Sequence, residues 1–206
     1  MSNSSVNSIA NPARTNRSRQ REATRRQLVE AGLRVVATHG FAGATTAAIA
    51  KATGKAHGTV FVHFKSREAL VGELVEEIGR AMSRRLADIS SDAIGVGDVV
   101  DAHLIALAEQ EVLFARLLCE ASTLPLAARA RIFALQSGIA WRLRAAYARD
   151  VAQGAARDMD PVALANTWIA LTNHYLMNRD LFAPGASVIA VRGAELKKQL
   201  LEIIRP

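Results

Sequence analysis

The side chains best equipped for chemistry fall in one short run. "TTAAIAKATGKAHGTVFVHF", residues 45–64, holds two histidines, four threonines and two lysines among five alanines, with no aspartate or glutamate. Imidazoles, hydroxyls and ammonium groups with no carboxylate among them suit hydrogen bonding to an anionic partner. Bond-making chemistry finds less support. The sequence contains no Cys-x-x-Cys, His-Glu-x-x-His or Glu-x-x-His, and the single Cys119 cannot build a thiolate metal site. Gly-x-Ser-x-Gly and Gly-x-x-x-x-Gly-Lys are also missing. The expectation is a binding protein that is not an enzyme and needs neither metal nor cofactor.

Charge points the same way. Residues 1–85 carry 14 Lys and Arg against 6 Asp and Glu, whereas residues 86–206 carry 12 against 13. The whole basic excess, a net +7, therefore lies in the first two-fifths of the chain. A solvated basic tail is one reading, and the footprint of a polyanion is the other. Half of the 206 residues are hydrophobic but only 5% aromatic, a balance carried by Ala and Leu that favours helices. No alternating β-branched run suggests a sheet. One cysteine fits a reducing compartment. The first 18 residues hold no apolar stretch of signal-peptide length, and no run of about 18 apolar residues occurs to span a membrane. A cytoplasmic location without membrane contact is expected.

The elements that must position the reactive run follow from periodicity and caps. A disordered basic tail is expected over 1–18, then a helix from Arg19 to His39 with Leu28, Ala31, Val35 and Val36 on one face. Gly40 ends it as a left-handed cap. Thr45 or Thr46 caps a short helix, Thr46 to Thr53, and Gly54 stops it. A second short helix covers Ala56 to Phe64, with Val60 inward. Ser66 caps a connecting helix, 66–89. A turn-rich stretch, 90–98, precedes further helices near 98–109, 111–121, 125–153, 161–181 and 187–204, where Pro125, Pro161 and Pro184 sit at starts or stops.

Two short helices joined by a tight glycine turn make a helix-turn-helix. Alanines on the first let the pair cross closely. On the second, Ala56, His57, Thr59, Phe61 and His63 face outward between Lys55 and Lys65, an acid-free surface able to approach phosphates and enter a major groove. The run "THGFAGATTAAIAKATGKAHGTVFVHFKSREAL", residues 38–70, resembles the DNA-binding domain of the TetR family of transcriptional regulators. Gly40-Phe41, Thr45, Ile49-Ala50, Ala52, Gly54, Gly58-Thr59, Phe61, Phe64, Lys65-Ser66, Glu68 and Leu70 carry the likeness. Three positions depart from the family pattern: Phe61 replaces a tyrosine, Lys55 a valine and Ala56 a serine.

The expected fold is all-α. An N-terminal three-helix DNA-binding domain with a helix-turn-helix, 19–65, precedes a helical effector-binding and dimerisation domain, 66–206. DNA contact is expected from Thr45, Lys55, Ala56, His57, Thr59, Phe61, His63, Lys65 and Arg25, the last as one of several arginines leading into the motif. The resemblance implies a regulator that binds a palindromic operator in double-stranded DNA, a repressor by default with activation as the alternative, and that is released by a small-molecule effector of unknown identity. It also implies a homodimer formed through the last two helices. Among amphipathic groups on otherwise apolar helices, the candidate pocket set is His103, Phe114, Gln136, Trp141, Asn173 and His174; core packing is the competing reading for each. Arg129, Arg131, Arg142, Arg144 and Arg149 read as a solvated face. Ile189, Gly193, Leu196, Leu200 and Ile203 recur at helix-packing intervals, and Trp168 and Tyr175 lie seven apart. From these, Trp168, Tyr175, Leu196, Leu200 and Ile203 are the expected dimer interface. A helical enzyme or small-molecule binder with an incidental basic region is the alternative.

Overall fold

Caps and glycines cut this chain into helices, and every described element is one. The structure is a computed structural model that describes residues 12–87 and 95–206. In order these are α1 (Pro12–Gly43), α2 (Thr46–Thr53), α3 (His57–His63), α4 (Arg67–Ala87), α5 (Val96–Cys119), α6 (Leu126–Ala152), α7 (Pro161–Met177), α8 (Arg179–Phe182) and α9 (Val188–Ile204). A 3-10 turn, Ala121–Thr123, links α5 to α6.

The caps act as their chemistry dictates. Thr45 Oγ1 accepts from Ala48 N at 3.1 Å and Ser66 Oγ from Ala69 N at 3.1 Å. Asp160 caps α7 ahead of Pro161, and Ser187 caps α9. Gly54 closes α2 in the left-handed region at φ 63. Several boundaries differ from expectation. The helix α1 begins at Pro12, so residues 12–18, expected in the tail, are helical. The two helices expected near 98–109 and 111–121 are one, Val96–Cys119, since Glu109-Gln110-Glu111 are good helix formers and nothing breaks the ladder there. The expected 161–181 helix is interrupted at Asn178. The end of the connecting helix and most of the turn-rich stretch fall outside the described residues.

Leu28, Ala31 and Val36 of α1, Ile49 of α2, Val60 of α3 and Leu70 and Leu74 of α4 are all fully buried, and Phe41 and Phe64 join them. Gly32 sets the spacing of this small core: a Cβ there would meet Leu74 Cδ2 at 2.7 Å. Beyond it α5 is the central helix, touching α1, α4, α6, α7 and α9. Its buried Glu111 accepts from Val188 N at 2.9 Å, from Ile189 N at 3.2 Å and from the Ser187 hydroxyl, so a carboxylate from α5 fastens the start of α9.

That fastening turns three of the five expected dimer-interface residues inward. Trp168, Leu196 and Leu200 have no exposed surface and lie in the chain's own core. Tyr175 is half-buried and stacks on Phe182, ring centroids 4.3 Å apart, and Ile203 packs partly against the same core. The regular stripe of α9 is thus spent within the chain, against α5 and α7.

Candidate DNA-reading face and cavity

The α2–α3 pair is held by the Gly54 turn, where Lys55 N donates to Ala50 O at 3.1 Å. Val60 and Phe64 anchor α3, leaving His57 and Phe61 (42% exposed) on its outer side. His57 Nε2 shares a hydrogen bond with Thr46 Oγ1 at 2.9 Å, and its ring meets Phe61 edge-on at 4.9 Å. The first outward side chain of α3 is therefore braced against α2 before any ligand arrives. Ala56 at the cap position offers no side-chain hydrogen bond, as its departure from serine implies. Ala56 and Lys65 are exposed, while Lys55, Thr59 and His63 are half-buried at the margin of the face. Thr45 is exposed at the start of α2. Val62, 55% exposed, also lies on this surface; nothing in its residue type marks it.

Arg25 does something else. Its Nη2 pairs with Glu73 at 2.5 Å, its Nη1 donates to His63 O at 3.1 Å, and its guanidinium lies 4.6 Å from the centre of the Phe64 ring. It ties α1 to the end of α3 and to α4, so in this structure it helps to position the reading helix. Positive charge nonetheless gathers here. His63 is held below its usual pKa by partial burial and then by the nearby Arg21, Arg25 and Lys55.

A second feature lies between α4, α5, α6 and α7. Met82, Leu86, Phe114, Ile139 and Ile169 wall a cavity that His103, Gln136, Asn173 and Arg142 also line. About 530 Å³ is unfilled, counting the open mouth, and about 70 Å³ admits the centre of a water molecule. His103, Phe114, Gln136 and Asn173 thus meet at one place. Trp141 and His174 do not: Trp141 is 67% exposed on the far side of α6, and the exposed His174 packs edge-on against Tyr175 and Phe182. Arg142, read as part of a solvated face, turns into the cavity mouth. His103 is buried, and burial pushes its pKa down to about 4. Its Nδ1 accepts from Trp168 Nε1 at 2.9 Å, which leaves the proton of the neutral ring on Nε2.

The two features are mechanically joined. The helix α4 carries Leu70 and Leu74 into the reading module and Met82 and Leu86 into the cavity wall. The helix α5 contributes His103 and Phe114 to the cavity and reaches Cys119. The next residue, Glu120, accepts from Ala42 N at 3.2 Å beside Gly40, while Arg67 Nη2 donates to Phe41 O at 3.0 Å.

Fold and face define a helix-turn-helix protein with an appended helical domain that encloses a cavity. Residues 28–74, the reading module, match the family model described as bacterial regulatory proteins, tetR family. The transcriptional repressor AcnR of Corynebacterium efficiens is 34% identical over 65 residues, which cover 32% of this chain and 35% of AcnR. The chain thus spans about a third of the length of the curated relatives it matches. Solved structures extend the likeness in fold. A TetR regulator from Haloarcula marismortui superposes with a TM-score of 0.75 at 14% identity, covering 90% of this chain and all of that one. FadR of Bacillus subtilis, solved with stearoyl-CoA, gives 0.69 at 21%, covering 87% and 98%. No described helix is long and apolar enough to cross a membrane.

Proposed function

We propose that this protein is a transcriptional repressor that binds a palindromic operator as a homodimer and leaves it when a small molecule fills the α4–α7 cavity. The observation that carries the reading is α4, one uninterrupted helix bearing both the reading module and a wall of the cavity. A ligand that wedges α4 from α6 changes the attitude of α3 without touching it. His57 and Thr59 are the proposed base readers. Lys55, Lys65 and the hydroxyl of Thr45 are proposed to hold the phosphates that fix register. The exposed apolar residues of α7 and α9, among them Val162, Met177 and Val191, are the proposed dimer faces. Converting a mostly bound population to a mostly released one takes about 5.5 kcal/mol of differential affinity for a 1:99 to 99:1 shift.

Selection from a random DNA pool tests the reading. The protein is expected to enrich a two-fold symmetric site, and His57→Ala to change the enriched sequence. Lys65→Ala is expected to weaken enriched and random DNA alike. It should also lessen the salt dependence, by about 0.9 of a log unit per log unit of salt for each phosphate no longer neutralised. No enrichment over random DNA would sink the operator assignment.

A further inference from the structure

We infer that the α4–α7 cavity is built for an apolar carboxylate, with Arg142 as the group that meets the anionic head. The inference rests on the reading of this cavity as the effector site and adds the chemistry of the effector. Three observations carry it. Among the described residues the cavity lining contains no aspartate or glutamate, so no described side chain there would repel an anion or pair with a cationic ligand. Arg142 is half-buried at the mouth, and its one hydrogen bond among the described residues is a long one along its own helix, Nη1 to Gly138 O at 3.4 Å. Arginines on the neighbouring surfaces differ: Arg80 is paired with Glu73 and Glu77, Arg85 with Glu109 and Arg131 with Glu76. A guanidinium partly withdrawn from water, with its fork of donors unused by any described carboxylate, is preorganised for a bidentate carboxylate.

The rest of the lining defines what the head is attached to. Met82, Leu86, Phe114, Ile139 and Ile169 offer apolar walls, and the unfilled space is narrow. A slender hydrocarbon or a single ring fits such a slot better than a sugar or a nucleotide, whose hydroxyls would outnumber the polar groups on offer. The neutral His103 presents Nε2–H, which has no protein partner among the described residues, and Gln136 and Asn173 add amide groups. These can receive a carbonyl or hydroxyl along the ligand, but none supplies a full negative charge. A cationic amphiphile would find no counter-ion among the described lining residues and is the ligand this cavity is expected to reject.

Octanoate and phenylacetate are suitable probes, each set against its neutral counterpart, 1-octanol or 2-phenylethanol, and against octylamine. Calorimetry on the full chain without DNA is expected to show at least one of the two acids binding about ten- to a hundredfold more tightly than its alcohol, the range set by a charge-assisted hydrogen bond. Octylamine is expected not to bind. Arg142→Gln should bring the acid to the level of its alcohol while leaving the melting temperature and DNA affinity of the ligand-free protein unchanged. Arg142→Lys, which keeps the charge but loses the fork, should fall between. Acids that bind no better than their alcohols, or an Arg142→Gln protein that still distinguishes them, would overturn the inference. Release from operator DNA is measured separately. An acid bound through Arg142 that fails to release DNA would leave the carboxylate site standing and remove its role as effector site.

Discussion

His103 links cavity and core, and its protonation state has a measurable consequence. In the folded chain it is neutral, with a pKa lowered to about 4 by burial, whereas unfolding returns it to its ordinary 6.5. Between those values the unfolded state binds a proton that the folded state refuses. The contribution to stability is fully present above pH 6.5 and is lost as pH falls toward 4. His103→Asn retains an acceptor near Nδ1 for the Trp168 indole but does not titrate. Urea unfolding at pH 7 and pH 4.5 should show wild type losing roughly 2 kcal/mol more than the variant across that interval. Equal losses would mean that the ring is protonated or solvated in the folded state. Residue type and neighbours mark His103 as core or pocket, and the structure makes it a wall shared by both. Arg25 is less legible. Its partner Glu73 lies 48 positions away, and only the crossing of α1 with α4 brings the two together.

At the scale of elements, most of what is legible comes from local chemistry. Thr45, Gly54 and Ser66 mark the reading helices because a cap satisfies backbone groups within three or four residues, a range that sequence reports directly. The turn at Gly40 is different. Its φ of 69 with ψ of 179 lies outside the left-handed helix cap expected there, in a region essentially restricted to glycine. The long-range reason is Glu120, whose carboxylate occupies the space a Cβ would take and accepts from Ala42 N. Gly40→Ala should therefore cost about 1–3 kcal/mol from backbone strain, with a further penalty from overlap with Glu120. In a Glu120→Ala background only the strain remains, so the two substitutions together should cost less than the sum of their separate effects. Denaturant unfolding of the four proteins of this cycle supplies the test. Strict additivity would show that α5 does not press on the Gly40 turn, and would remove one of the two links between cavity and reading module.

For the whole molecule, the proposed dimer needs a surface that would meet a second copy. The seam Ile189, Leu196, Leu200 is regular enough to pack against any helix, and periodicity cannot say whether that helix belongs to the same chain. Glu111 decides it, because its three hydrogen bonds draw the start of α9 onto α5 and commit the seam inward. The outer side of the same helices then has the features a self-complementary face requires. Val191 of α9 is 54% exposed and Met177 of α7 is 49% exposed, with Ala163, Ala170 and Ala194 exposed or half-exposed on the same two helices to allow close approach. In a two-fold dimer such faces meet their copies and hold two reading helices about 34–36 Å apart, one turn of DNA. Two substitutions separate the inward seam from the outward face. Leu200→Glu buries an unpaired carboxylate in the core and should destabilise the fold by several kcal/mol whatever the oligomeric state. Val191→Glu places its charge on the outer surface, where an isolated chain tolerates it within about 0.5 kcal/mol. In the dimer that charge would lie against its symmetry mate. Sedimentation at micromolar concentration should show Val191→Glu as a folded monomer with weakened operator binding, its melting changed only as far as dimerisation had contributed. A Val191→Glu protein that remains as strong a dimer as wild type would move the interface away from the outer faces of α7 and α9.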